Sequence, residues 1–390
     1  MTRSFYCSNK FKFLKIDLER QMTYNCHAAA PHRVDFNWLS NNPGNIFNIP
    51  VNIAEREMML LNQRNLSCEQ NCWPAEDRNQ VSVRQLEDGI DRTHTMVHTQ
   101  PEVLDITLDS DCNLSCIYCC KEYSSAWRRD IKDNGPYVFD HADQDLINRF
   151  KFDNKDIVLT ALSQKDKQTG ARYQKLLTEV DSIIPNLKLM IVTGGEPMLS
   201  SQLVDILNKA QNVPEIKIFT GLGIKSSRLE KILKEINSTN NIVFAISAEN
   251  TQDFYEFVRA GNSYNNFLTN LKIIQESGVR YKFHSTLSNL TLMGFFDFYH
   301  EYKQHDIEID FCYTPDFLSV HVLDHTSKEI IKEQWSSVNN DIANKIISSI
   351  DPMPTALQTG QLRSMLTQFS QRKQLDINIF SQHFLDWIQP

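Results

Sequence analysis

From about residue 100 of the 390-residue chain onward, short apolar runs alternate with amphipathic stretches. That pattern belongs to βα units rather than to separate blocks of helix and sheet. The apolar runs predict strands over 103–108 (VLDITL), 187–193 (LKLMIVT), 215–220 (EIKIFT), 241–247 (NIVFAIS), 279–286 (VRYKFHST) and 308–313 (EIDFCY). Helical spacing between them predicts helices near 171–184, 200–211, 226–236, 251–277 and 293–304. Parallel neighbours need crossover connections, so six such strands predict an α/β fold with a parallel sheet, open or closed into part of a barrel. The stretch 121–170 is long for a βα connection and is expected to carry short helices or to serve as a lid. The tail from 325 to 390 reads as helical, with one helix near 326–350 ended by Asp351-Pro352 and Pro354 and another near 362–370.

Composition narrows the function classes. Lys plus Arg is 40 and Asp plus Glu is 48, a formal charge of −8. This excess argues against a general grip on nucleic acid or anionic lipid. Charged residues interrupt the first twenty positions, and no run approaches the ~18 apolar residues of a membrane span. A cytoplasmic protein without a membrane partner is expected. In a reducing compartment its nine cysteines point to metal or redox chemistry rather than to a disulfide framework.

The cysteines are partitioned. Cys7, Cys26, Cys68 and Cys72 come first, Cys112, Cys116, Cys119 and Cys120 cluster, and Cys312 stands alone. Cys112, Cys116 and Cys119 follow the strand ending LDITLDSD, at the edge where α/β folds carry function. Three thiols cannot complete a four-thiolate site, whereas an iron–sulfur cluster with one open iron uses three. Zinc completed by Cys120 or a distant His, and plain buried thiols, are the competing readings.

Cys112-Asn-Leu-Ser-Cys116-Ile-Tyr118-Cys119 resembles the signature of the radical S-adenosylmethionine superfamily, with Tyr118 at its aromatic position. Gly194-Gly195-Glu196-Pro197 at the next strand end is similar to the family's GGEP segment, which implies a hold on the amino group of S-adenosylmethionine. Ser247 and Glu249 at the fourth strand end resemble the positions that meet the ribose. Arg259, in Tyr255-Glu256-Phe257-Val258-Arg259-Ala260-Gly261, resembles the arginine that pairs with the ligand carboxylate. His284, Ser285, Thr286 and Asn289 are expected to face the same cavity. The resemblance implies a partial (βα)6 TIM-like barrel and a [4Fe-4S] cluster on Cys112, Cys116 and Cys119. It also implies reductive cleavage of S-adenosylmethionine to a 5′-deoxyadenosyl radical that takes hydrogen from a substrate. A one-electron donor such as flavodoxin or ferredoxin and oxygen sensitivity follow from the same resemblance.

Cys7, thirteen residues, Gln21, four residues and Cys26 resemble the auxiliary-cluster module called SPASM or its shorter twitch form, with Gln21 in place of a glycine. Cys68 and Cys72 are one residue farther apart than that pattern, and the segment precedes the core. An auxiliary [4Fe-4S] cluster on Cys7, Cys26, Cys68 and Cys72 is the expectation, with structural zinc or unligated thiols as the alternatives. Ser124-Ser125-Ala126-Trp127 also resembles a stretch of twitch-type members, and packing of Trp127 over the cluster loop is the expected reason. Cys120 and Cys312 read as buried, inert thiols. The domains expected are an auxiliary-cluster module over 1–98, a core over 99–322 and a helical extension over 323–390. A peptide or protein side chain is the substrate the resemblance favours, with a nucleotide, deazapurine or cyclitol as the alternative. A non-catalytic iron–sulfur or zinc interaction protein is the reading from another class.

Overall fold

The computed structural model describes residues 4–69, 71–86, 92, 94–139, 141–151, 170–236 and 241–389. Eleven strands occur among them: Phe13–Asp17 (β1), Met22–Tyr24 (β2), His32–Arg33 (β3), Val103–Thr107 (β4), Ser115–Cys116 (β5), Leu189–Thr193 (β6), Glu215–Thr220 (β7), Ile242–Ser247 (β8), Arg259–Ala260 (β9), Arg280–Leu287 (β10) and Ile307–Phe311 (β11). The six strands expected from the pattern are β4, β6, β7, β8, β10 and β11, each within two residues of the expected bounds. The chain divides into two compact units, one of Met1–Asp109, Leu162–Ile218 and Lys234–Val243, the other of Ser110–Ala161, Phe219–Leu233 and Phe244–Pro390.

In the first unit the hydrogen-bonded order is β3-β2-β1-β4-β6-β7. β1, β4, β6 and β7 are parallel, and β2 and β3 return antiparallel. Leu14, Ile16, Leu104, Ile106, Met190 and Val192 are fully buried, so these strands carry apolar side chains to the core as parallel sheets require. β1 was not expected: Phe13-Leu14-Lys15-Ile16-Asp17 is short and flanked by Lys12. Its register with β4 sets Lys15 opposite Asp105, and the two form an ion pair of 2.8 Å. The strand signal thus lies in a cross-strand partner some 90 residues away.

In the second unit β8, β10 and β11 are neighbours, with β10 and β11 parallel. The helix expected over 251–277 is two helices, Gln252–Val258 and Tyr264–Ser277, separated by β9 and Gly261. Gly261 has φ +108, a conformation an L side chain rarely adopts. The helix expected near 326–350 is also divided, into His325–Ser336 and Asp341–Ser349, because Asn340 turns its side chain onto the Ala343 amide and starts a new cap. The next helix extends over Ala356–Lys373 behind a Thr355/Gln358 capping box, and Gln382–Ile388 adds a last one. Ser125–Asn134 and Gln144–Phe150 are short helices within 121–151; the rest of that expectation, over 152–169, lies outside the described residues. Among the described residues no helix is long and apolar enough to cross a membrane.

Ile16→Ala should cost about 2–5 kcal/mol in urea unfolding, the usual range for emptying a fully buried aliphatic site. A change under about 0.5 kcal/mol would place β1 outside the packed sheet.

Candidate active site

The cysteine loop is built by local hydrogen bonds in the second unit. Ser125 Oγ accepts from the Cys112 amide and donates to the Cys112 carbonyl, both at 3.0 Å. Ser124 Oγ donates to the Leu114 carbonyl at 2.6 Å while capping the helix that follows. The indole N–H of fully buried Trp127 donates to the Cys116 carbonyl at 2.9 Å. The Ser124-Ser125-x-Trp127 stretch therefore straps the loop, as its packing role anticipated. Cys112, Leu114 and Cys116 form one apolar cluster with Tyr118 and Cys119 against it.

β5 pairs antiparallel with β9, setting Cys116 opposite Arg259 and Ser115 opposite Ala260. A Cβ on Gly261 would stand 2.6 Å from the Asn113 carbonyl oxygen, and one on Gly223 2.9 Å from Leu114, so both glycines permit this close approach. Arg259 is buried, and its Nε and Nη2 donate to Glu249 Oε2 at 3.2 and 2.6 Å. Nη1 lies 3.8 Å from Cys116 Sγ. Tyr118 donates to the other oxygen of Glu249 at 2.5 Å. Burial works against the Arg259 charge, but Glu249 outweighs it and holds the guanidinium charged. Burial pushes the Tyr118 phenol well up, so it stays a donor.

Tyr118, Cys116, Glu249 and Arg259 are thus in one place. The pairing differs from the division of labour expected, since Glu249 engages Arg259 itself. A buried guanidinium requires a counter-charge before any ligand arrives. Ser247 is half-buried at the end of β8. Two neighbours expected at the cavity instead brace the fold. Ser285 donates to the Ala248 carbonyl, and the Asn289 amide is spent on the carbonyls of Phe317 and Val322. Cys119 and Cys120 share a hydrogen bond that pushes the Cys119 thiol up and holds Cys120 down, with Arg149 adding to the latter.

The Gly-Gly-Glu-Pro turn lies in the first unit. Gly194 has φ +142, and a Cβ there would meet the Asp109 carbonyl oxygen at 2.5 Å. The Gly195 amide donates to that same oxygen at 2.9 Å. Glu196 is buried and caps the turn Pro197–Leu199 by accepting from the Met198 amide.

Also in the first unit, Cys7, Cys26, Cys68 and Cys72 are all buried and close enough to perturb one another's charge. Burial pushes Cys7 up to about 11 and Cys26 up to about 12. Left alone these are neutral thiols, and a metal would take them as thiolates with release of protons. The buried hydroxyl of Ser8, beside Cys7, has no hydrogen-bond partner, as at a site shaped for a further group. Among the described residues no three His, Cys, Asp or Glu side chains are arranged to hold a single metal ion. The three- and four-thiol donor sets fit iron–sulfur clusters in residue type and number.

Residues 108–298 match the Radical SAM superfamily. Just under half of the chain is thus similar to a radical SAM domain. No curated protein matches the sequence. Among solved structures, native anSMEcpe with bound AdoMet and Cp18Cys peptide aligns at 13% identity over 63% of this chain and 61% of that one, with a TM-score of 0.38. Streptococcus suis SuiB bound to S-adenosylmethionine aligns at 14% identity over 87% of this chain and 71% of that one, also with a TM-score of 0.38. The alignment thus spans under two thirds of the anSMEcpe chain.

Sequence reading missed several residues near the two groups of cysteines. Lys373 donates to Ser115 Oγ at 3.1 Å and pairs with Asp130 at 3.0 Å, and no local pattern marks it. Lys10, fully buried beside the first-unit cysteines, was signalled only by a lysine three positions after Cys7. Its ammonium reaches Glu55 Oε2 at 2.9 Å, and His32 Nε2 lies 3.0 Å from the other oxygen. Burial opposes ionisation of Glu55, but the hydrogen bond with His32 and the Lys10 charge outweigh it and hold the carboxyl at about 2.

Two outcomes follow from these geometries. Gly261→Ala should lower iron retention at the three-thiol loop, since the methyl forces β9 away from Asn113; unchanged iron in a protein carrying only those cysteines would refute the close approach. A depressed carboxyl stabilises the fold fully above its ordinary value of 4.5, and the contribution is lost as pH falls through about 2. Metal-free Glu55→Gln should therefore trail the parent by about 3 kcal/mol at pH 7, with the gap closing toward pH 2. A gap independent of pH would show that ionisation is not its source.

Proposed function

We propose that this protein cleaves S-adenosylmethionine reductively and uses the resulting radical to abstract hydrogen from a peptide or protein side chain. The observation that carries the reading is the meeting of Cys116, Tyr118, Glu249 and Arg259 around a loop that presents Cys112 and Cys119. Cys112, Cys116 and Cys119 would hold a [4Fe-4S] cluster. When bound, that cluster supplies the electron that splits the sulfonium into methionine and a 5′-deoxyadenosyl radical.

The chain's own residues position and shield. Arg259, fixed by Glu249 on one side and by the β5/β9 bridge on the other, presents a cation beside Cys116. Gly194 and Gly195 let the turn pack against the Asp109 carbonyl, which sets Glu196 beside them as a partner for an ammonium group. Ser247 and Glu249 are assigned to the nucleoside part. Residues 1–98 are assigned as the auxiliary module with a second cluster, 99–322 as the core and 323–390 as the extension, with a flavodoxin or ferredoxin as electron donor.

An open cavity of about 490 Å³ in the second unit, lined by Glu122, Arg149, Tyr313 and Phe317, has room for a peptide side chain or for a small molecule. Arg149 donates to the carbonyls of Tyr118 and Cys119, which ties that cavity to the cysteine loop. SuiB bound to its precursor peptide is a structure of the same class.

Anaerobic reconstitution with iron and sulfide, followed by dithionite and S-adenosylmethionine, tests the activity. The expected result is about eight irons and 5′-deoxyadenosine formation, abolished by Cys112→Ala, Cys116→Ala or Cys119→Ala and retained in Cys120→Ala. Activity surviving Cys116→Ala would overturn the assignment of the loop, and zinc alone without 5′-deoxyadenosine would leave a metal-stabilised binding protein.

A further inference from the structure

The least expected charge in the first unit is Lys10. Its side chain has no exposure to solvent, a costly state for an ammonium unless it is compensated. Its three donors go to Asn25 Oδ1 at 2.5 Å, Ser67 Oγ at 2.6 Å and Glu55 Oε2 at 2.9 Å. Asn25 immediately precedes Cys26, and Ser67 immediately precedes Cys68. The Lys10 amide closes a turn on the Cys7 carbonyl at 3.3 Å. One ammonium therefore ties together the segments that carry three of the four cysteines. Its charge is felt at Cys7, Cys26 and Cys68. Glu55 is shared with Asn25 and His32, so it is not reserved for Lys10.

A structural ion pair alone would explain Lys10 and Glu55, but not why two of the ammonium's three bonds are made to residues adjacent to cysteines. Four thiolates around an oxidised [4Fe-4S]2+ cluster carry a net charge of −4 + 2 = −2, and one-electron reduction takes it to −3. A buried cation beside that group favours the more negative state, because Coulomb energies are large away from water.

We propose that Lys10 is a positioning residue for the amino-terminal cluster: its ammonium gathers the segments of Cys7, Cys26 and Cys68 and raises the cluster's reduction potential. This rests on the reading of Cys7, Cys26, Cys68 and Cys72 as cluster ligands. Glu55 is the opposing charge, anchoring Lys10 while lowering the potential.

The experiment uses the full chain with Cys112, Cys116 and Cys119 replaced by alanine, so that only the amino-terminal site is loaded. Iron and sulfide are counted after anaerobic reconstitution, and the midpoint of the one-electron couple is read by titration with dithionite under electron paramagnetic resonance. The parent should retain about four irons. Lys10→Met should shift the midpoint to lower potential, and Glu55→Gln should shift it to higher potential. A parent that binds no iron and sulfide overturns the cluster reading and the role of Lys10 with it. A parent that binds four irons while Lys10→Met leaves the midpoint unmoved overturns the role of Lys10 and leaves the cluster standing. If Lys10→Met does not fold, Glu55→Gln decides: a midpoint that rises supports the charge argument, and one that stays or falls overturns it.

Discussion

The second unit is organised around a buried pair of opposite charges. Arg259 and Glu249 are both almost without exposure, and removing either would strand the other at a cost of about 3–5 kcal/mol. That penalty makes the pair a fixed point. β9 carries Arg259 into the antiparallel bridge with β5 and so fixes where Cys116 sits. Tyr118 closes the far oxygen of Glu249, which locks the aromatic residue of the cysteine loop to the same carboxylate. The loop is then held by its backbone, through Ser124, Ser125 and Trp127. Gly261 is the condition for all of this, because any side chain there collides with Asn113.

The same logic recurs with different residues in the first unit. There the buried cation is Lys10 and the carboxylate is Glu55. Two of the ammonium's three hydrogen bonds run to residues that precede cysteines. Both arrangements set a positive charge beside buried sulfur. Thiols in an apolar surrounding resist ionisation, and a nearby cation offsets part of that resistance.

How far the sequence disclosed this depends on the range of each interaction. The six strands of the βα pattern were legible because their apolar residues are contiguous and period-coded. β1 was not, since Lys15 reads as a break until Asp105 stands opposite it. The helix expected over 251–277 failed at Arg259-Ala260-Gly261 for a related reason. Its apolar spacing runs on through Val258, while the strain that ends it arises from contact with the Asn113 loop. The cysteine motif was legible because its three thiols lie within eight residues. The engagement of Arg259 by Glu249 was not, because a pairing partner is a fact of three dimensions. Lys10 and Lys373 had no periodic signature, and only the fold shows what they touch.

Lys373 also bears on how the carboxy-terminal helices should be regarded. The helix Ala356–Lys373 lays Phe369 against Trp127 with ring centroids 5.7 Å apart, and its last two residues pair with buried Asp130. Lys373 adds a bond to Ser115, which lies between two of the loop's cysteines. Asp130 meanwhile accepts from Tyr137, so its carboxylate joins the helix after the cysteine loop to the segment beyond it. Taking the tail away would uncover Trp127 and leave the Asp130 charge buried without a cation. The first loses apolar burial and the second incurs the penalty of a stranded ion. Because Trp127 also donates to the Cys116 carbonyl, both losses fall on the cysteine loop. The extension is therefore part of the frame of the cysteine loop, joined to it by the same combination of aromatic packing and a shared buried charge that organises the rest of the unit.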